Sequence, residues 1–97
     1  MATTVDFHHL ADAEVWQIRR YYGRAGFGTQ FLAALQDAVV RIGHSPGIGS
    51  PDMLGTRFHR LKKFPYRLVY VEEPTRVLVI AVPHNRRNPG YWRRRLP

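Results

Sequence analysis

The chain has 97 residues, no cysteine and a formal net charge of +8 at pH 7. This length limits it to one domain, and a hydrophobic content of 44% excludes a disordered chain. The absence of cysteine excludes disulfide frameworks and thiolate chemistry. Because no apolar run approaches the roughly 20 residues that span a bilayer and no signal peptide is visible, we expect a cytoplasmic protein without membrane contact.

The first predicted element is a short strand over Thr4–Phe7, whose apolar side chains alternate. A helix is predicted from about His9 to Arg24, because apolar residues recur there at helical spacing. Glycines then mark a tight connection to a second amphipathic helix that ends near Gly43. Two helices joined so closely predict an antiparallel hairpin.

The second half of the chain has the alternating pattern of strands. A loop rich in Pro and Gly precedes three predicted strands, which cover Thr56–Lys62, Tyr66–Val71 and Arg76–Val82. Pro83 ends the last strand because proline cannot donate to a ladder. The order predicts a single α+β domain over residues 1–97. In it, an N-terminal strand and a helical hairpin precede a three-strand antiparallel meander (β-α-α-β-β-β), with the helices packed on one face of an antiparallel sheet. Residues 84–97 are predicted to be a basic, aromatic C-terminal tail.

Positive charge is concentrated in the same half. From Arg57 onward, the only acidic residues are Glu72 and Glu73, against eleven lysines and arginines. This asymmetry indicates a polyanionic partner, either a nucleic acid or an acidic protein. The alternative is a solvated basic face that only aids solubility.

The residue types restrict the chemistry that an active site could perform. The sequence has no phosphate-binding loop and no plausible set of metal ligands, so neither a cofactor nor a metal is predicted. An enzyme with these residues would rely on Arg, Lys, His and Tyr, a set suited to metal-independent cleavage of RNA by its own 2′-hydroxyl. Arg60 and Lys62 are predicted to share one face of a strand, and Arg67 comes from the next strand.

Two motifs resemble those of a known family. The segment FPYRLVY at Phe64–Tyr70 resembles the YRLVY strand of RelE/ParE toxins, and HNRRNPGYW at His84–Trp92 is similar to the H-x-R-R-x-P-x-Y-W ending of its ParE-like branch. The element order and the loop near Pro46 also match, so the resemblance covers nearly the whole chain. It implies the toxin of a type II toxin–antitoxin system, which arrests growth and is neutralised by a cognate acidic antitoxin in a hetero-oligomer.

The resemblance also implies roles for individual residues. In the ribosome-dependent RNases of the RelE type, basic residues match Arg60 and Arg67, and the second faces the scissile phosphate. A terminal tyrosine that stacks on a base or helps to take the 2′-proton matches Tyr91. The family's arginine after the last strand falls near Asn85, with Arg86 one residue on.

His84 is a candidate for the acid in place of that arginine, and Phe58 stands where the family often has a lysine. The candidate catalytic residues are therefore Arg60, Arg67, His84, Arg86 and Tyr91, and the candidate nucleic-acid-binding or target-binding residues are Lys62, Lys63, Arg87, Trp92, Arg93 and Arg94.

Two functions remain open on the sequence. The first is ribosome-dependent cleavage of mRNA, and the second is ParE-like, non-enzymatic inhibition of DNA gyrase. A plain nucleic-acid-binding module is disfavoured, because the tail has no recognised RNA-binding signature and the predicted fold argues against it. Structural roles are the alternative for several residues: His84 as a turn residue, and Tyr91 and Trp92 as side chains that pin the tail to the sheet.

Overall fold

The predicted order of elements is confirmed by the computed structural model, which describes residues 2–97. The helices and strands are β1 (Val5–Phe7), α1 (His9–Arg24), α2 (Gly28–His44), β2 (Ser50–Pro51), β3 (Arg57–Arg60), β4 (Arg67–Glu72) and β5 (Val77–Ala81). Single 3-10 turns lie at Pro46–Ile48, Met53–Gly55 and Arg93–Arg95. The strand β2 was not predicted, since two residues are too few to form a pattern.

The helical hairpin buries the apolar stripes that the spacing predicts. Ala11 and Ile18 of α1 and Phe31 and Ile42 of α2 are all buried against one face of the sheet. The turn between the helices passes through Gly26 at φ +84°, a left-handed conformation that glycine adopts without steric cost.

The sheet has the strand order β1-β5-β4-β3-β2. Strands β3 to β5 pair antiparallel, as predicted, and β2 pairs antiparallel with β3, but β1 pairs parallel with β5 through Val5↔Val77 and Phe7↔Val79. The prediction of a wholly antiparallel sheet was therefore wrong, and the sheet is mixed. The helical hairpin connects β1 to the meander. A connection of this length allows β1 to pair with β5 in either the parallel or the antiparallel direction.

The loop after α2 is held by a buried tyrosine. The Tyr70 hydroxyl accepts from the backbone N–H of Gly49 and donates to the carbonyl of Pro46. A Cβ atom at Gly49 would lie 2.5 Å from that hydroxyl, so only glycine fits there.

A second core covers the distal face of the sheet, the face turned away from the helices. Its buried members are Val69, Ile80, Ala81 and Trp92, and Trp92 comes from the C-terminal segment, residues 84–97. This segment folds back on the sheet instead of extending as a tail. None of the helices formed by residues 2–97 has the length and hydropathy needed to cross a bilayer.

Candidate functional site

Two of the predicted catalytic arginines lie side by side on the distal face. Arg60 and Arg67 are directly opposed in the β3–β4 ladder, so their side chains leave the same face. Their guanidinium carbons lie 5.6 and 6.0 Å from the centre of the Phe58 ring. Arg67 also donates to the backbone carbonyl of His84 at 3.0 Å, which fixes its direction.

Lys62 does not share a face with Arg60, contrary to the prediction. Strand β3 ends at Arg60, so the alternation of side chains stops before Lys62. The Lys62 ammonium lies 3.8 Å from the Asp37 carboxylate of α2, on the helix side of the sheet. Lys62 and Lys63 are both exposed and lie apart from the Arg60–Arg67 pair.

Glu14 joins α1, β5 and the C-terminal segment. Its carboxylate accepts from the backbone N–H of Val82 at 2.9 Å, from the Tyr91 hydroxyl at 2.8 Å and from Arg95 at 3.1 Å. Arg95 also donates to the carbonyl of Ile80 at 3.0 Å. The Glu14 and Arg95 side chains are only 18% and 13% exposed, so this ion pair is well shielded from solvent.

Tyr91 is held by these contacts. Its hydroxyl donates to Glu14, and the Arg87 guanidinium carbon lies 3.8 Å from its ring centre. Burial, followed by the hydrogen bond to Glu14, raises the pKa of Tyr91 above its usual value of 10.0. In this arrangement Tyr91 is a hydrogen-bond donor, whereas a base must accept a proton.

His84 occupies a turn. Its Nδ1 accepts from the backbone N–H of Arg86 at 3.1 Å, and its carbonyl accepts from the backbone N–H of Arg87 at 2.9 Å. The His84 ring packs edge-on against the Tyr66 ring, with 5.3 Å between the two ring centres. Arg86 itself is exposed.

Trp92 is 1% exposed and packs against Val69 and Ile80. Its place in the predicted target-binding set is therefore corrected to a core position, because a ring buried at this depth has no face for a ligand. Arg93 and Arg94, which follow it in the 3-10 turn, remain exposed.

An open groove runs along α1. It consists of two adjoining depressions of about 330 and 270 Å³ that share Gln17 and Tyr21, and we call it the α1 groove. The larger depression separates α1 from the C-terminal segment and the smaller one lies along α1 beside Arg20 and Arg24. Side chains that line the larger one include Glu14, Ile18, Tyr66, His84, Arg87 and Tyr91.

Neither the role of Glu14 nor the α1 groove was predicted from the sequence. One signal for Glu14 was present: it falls three residues after Ala11 and four before Ile18, on the apolar face of α1. A carboxylate at such a position requires buried partners. Those partners lie far along the chain, however, so their identity could not be inferred from the spacing.

The family can be identified from a comparison of the whole sequence. A family model described as "ParE toxin of type II toxin-antitoxin system, parDE" matches residues 5–89. The chain belongs to the ParE toxin family. The match includes both helices and all five strands, and it confirms the resemblance first seen in the FPYRLVY and HNRRNPGYW motifs. Membership makes the chain a toxin of the type II toxin–antitoxin class and implies a cognate antitoxin as its partner.

Comparison with solved structures agrees with this assignment. A chain of the chromosomal ParDE TA system from P. aeruginosa superposes with a TM-score of 0.66. The two chains share 16% sequence identity, and the alignment covers 86% of this chain and 96% of that one. At this identity the likeness shows a common fold. Curated protein sequences contain no significant match.

Proposed function

We propose that this ParE family member arrests growth by binding DNA gyrase, and that it does not cleave RNA. The observation that carries the proposal is the state of Tyr91, the residue that would help to take the 2′-proton in the RNase hypothesis. Its hydroxyl is engaged by Glu14 and its ring lies under Arg87. A tyrosine is protonated at neutral pH already, and a pKa raised above 10.0 takes Tyr91 further from the value that suits a general base.

The exposed arginines of the C-terminal segment are the proposed gyrase contacts. Arg86, Arg87, Arg93 and Arg94 are all exposed, while the segment that carries them is anchored by the buried Trp92. An anchored segment loses little conformational entropy when it binds, which favours affinity. Arginine is also enriched among residues that dominate protein interfaces.

One observation favours RNA cleavage as a second candidate. Arg60 and Arg67 lie directly opposite each other, where two cations could flank a phosphate. Electrostatic stabilisation by such donors is often the largest contribution to a reaction of this kind. A pair of arginines also binds anions without any catalysis, so a proton-transfer partner is what separates the two candidates.

Purified protein should be tested in two assays: supercoiling of relaxed plasmid by gyrase, and cleavage of mRNA during reconstituted translation. We expect inhibited supercoiling and intact mRNA. Arg67→Ala should inhibit gyrase nearly as well as the parent chain. The double variant Arg93→Ala/Arg94→Ala should lose about tenfold or more in potency, which corresponds to ~1.4 kcal/mol.

Circular dichroism should establish that both variants are folded. The proposal is wrong if the parent chain cuts mRNA and folded Arg67→Ala loses cleavage and growth arrest together. If Arg67 stabilises the charge on the scissile phosphate, its removal would lower the cleavage rate by about 10²–10³.

A further inference from the structure

The α1 groove borders the proposed gyrase contacts at Arg87, but its other arginines, Arg20 and Arg24, and its exposed Tyr21 take no part in that proposal. Its two depressions, about 330 and 270 Å³, adjoin each other at Gln17 and Tyr21 and remain open to solvent. Volumes near 300 Å³ are at the lower end of those found for small-molecule sites. The groove therefore has room for a series of small planar groups along one helix.

Aromatic rings line this groove at intervals. Tyr21 lines both depressions, and its side chain is 67% exposed. Tyr66 also lines the larger depression, but it is half-buried and packs against Tyr22, Phe31 and His84. The exposed ring of Tyr21 provides the kind of stacking platform that a nucleobase requires.

Positive charge lies at the rims of the groove. Arg20 and Arg24 are exposed one helical turn apart beside the smaller depression, and Arg87 is exposed beside the larger one. The floor carries the Glu14 carboxylate, whose contacts with Tyr91 and Arg95 neutralise it locally. This distribution suits a ligand with neutral planar groups inside the groove and negative charges at its edges.

We propose that the α1 groove binds single-stranded nucleic acid, with a base stacked on Tyr21 and with phosphates on Arg20, Arg24 and Arg87. An acidic protein segment fits less well, because it supplies negative charge without the planar bases that stack on the exposed Tyr21 ring. Duplex nucleic acid fits less well too, because its bases are already stacked and do not reach the rings. The site lies along α1, while the Arg60 and Arg67 side chains leave the distal face, where Arg67 donates to the backbone carbonyl of His84.

The direct test is fluorescence anisotropy of labelled 12-nucleotide dT and U strands, with a 12-base-pair duplex as comparison. We expect tighter binding of the single strands than of the duplex. Tyr21→Leu should weaken single-strand binding about tenfold, within the range for loss of one stacked base, and Tyr21→Phe should restore it. Arg20→Gln should reduce the slope of log affinity against log salt by about 0.7.

Arg19→Gln is the matched control, because it removes an equal charge from an exposed position on the same helix, outside the groove. It should leave the salt slope close to that of the parent chain.

Three results would overturn the proposal. They are equal affinity for duplex and single strands, a Tyr21→Leu variant that binds single strands as tightly as the parent chain, and absence of binding at low salt. If poly-glutamate displaces the labelled strand at a lower concentration than unlabelled dT does, the groove would instead be assigned to an acidic protein. Supercoiling inhibition by Tyr21→Leu should remain intact, so the outcome is independent of the gyrase proposal.

Discussion

At the scale of single residues, Glu14 connects more of the molecule than any residue that the motifs singled out. Its carboxylate receives hydrogen bonds from Val82, Tyr91 and Arg95, which belong to two different parts of the chain. Val82 follows β5, where the next residue, Pro83, has no N–H to donate. Glu14 therefore satisfies the backbone at the end of β5 and holds the C-terminal segment in place.

Replacement of Glu14 tests this role. Glu14→Ala leaves a buried N–H, a hydroxyl and Arg95 without their shared acceptor, so we expect a loss of about 3–5 kcal/mol in the free energy of unfolding. Urea denaturation measures this loss. Asp12→Ala, an exposed acid on the same helix, should cost less than about 1 kcal/mol. Equal urea midpoints for the two variants would show that the Glu14 contacts do not stabilise the fold.

The raised pKa of Tyr91 predicts a loss of stability in alkaline solution. Its pKa in the folded state lies above 10.0, its usual value, because burial and the bond to Glu14 favour the protonated hydroxyl. Between these two pKa values the folded state binds more protons than the unfolded state, so stability falls as the pH rises above about 10. The half-buried Tyr66 and the buried Tyr70 also have raised pKa values and add to the effect. Tyr91→Phe should therefore show a shallower decline in urea midpoint from pH 9 to about 11, and an unchanged decline would contradict the assignment.

At the scale of elements, the C-terminal segment completes the sheet. Without Trp92, the distal-face side chains Val69, Ile80 and Ala81 would be exposed to water. The Nε1 of Trp92 has no hydrogen-bond partner among residues 2–97, so packing is what holds the ring there. The segment is thus part of the domain, although its sequence is polar and has no regular period.

Trp92→Ala should cost about 3–5 kcal/mol, the usual range for a buried aromatic side chain. That is a large fraction of the stability of so small a domain. Trp16→Ala is the matched control, because Trp16 is 59% exposed on α1 and should change stability by no more than about 0.5 kcal/mol. Thermal and urea unfolding of both variants measure the difference. A Trp92→Ala chain as stable as the control would show that the segment is dispensable.

The elements also show which parts of the fold the sequence could predict. Both helices have apolar residues at regular spacing, and β4 and β5 are short apolar runs separated by a turn, so their order was predicted correctly. The parallel pairing of β1 with β5 and the contact of Trp92 with Val69 join distant parts of the chain, and no local pattern encodes such contacts. The same applies to the site: alternation failed at Lys62 because strand β3 ends at Arg60, two residues earlier than the alternating pattern indicates.

At the scale of the whole molecule, most of the arginines that form no ion pair within residues 2–97 cluster in two regions of the surface. The acidic residues that form ion pairs are Asp6, Glu14, Asp37, Glu72 and Glu73, whose partners are Arg76, Arg95, Arg41, Lys62 and Arg57. Several arginines outside these pairs lie on α1 and on the C-terminal segment. A net charge of +8 in 97 residues therefore produces a positive potential over these two regions, which attracts polyanions.

This potential predicts how the cognate antitoxin associates. We expect a neighbouring gene to encode an acidic partner that binds this chain, with an association rate that charge steering makes fast at low salt. An increase from about 0.1 M to about 1 M salt shortens the Debye length from roughly 10 to 3 Å, so the association rate should fall about tenfold or more. The dissociation rate should change much less, because buried apolar contacts determine the lifetime of the complex.

Stopped-flow mixing measures both rates. The double variant Arg93→Gln/Arg94→Gln should associate more slowly than the parent chain at low salt and equally fast at high salt. A salt-independent association rate would show that steering by these charges is absent, and failure to bind any product of the adjacent genes would contradict the predicted partnership itself.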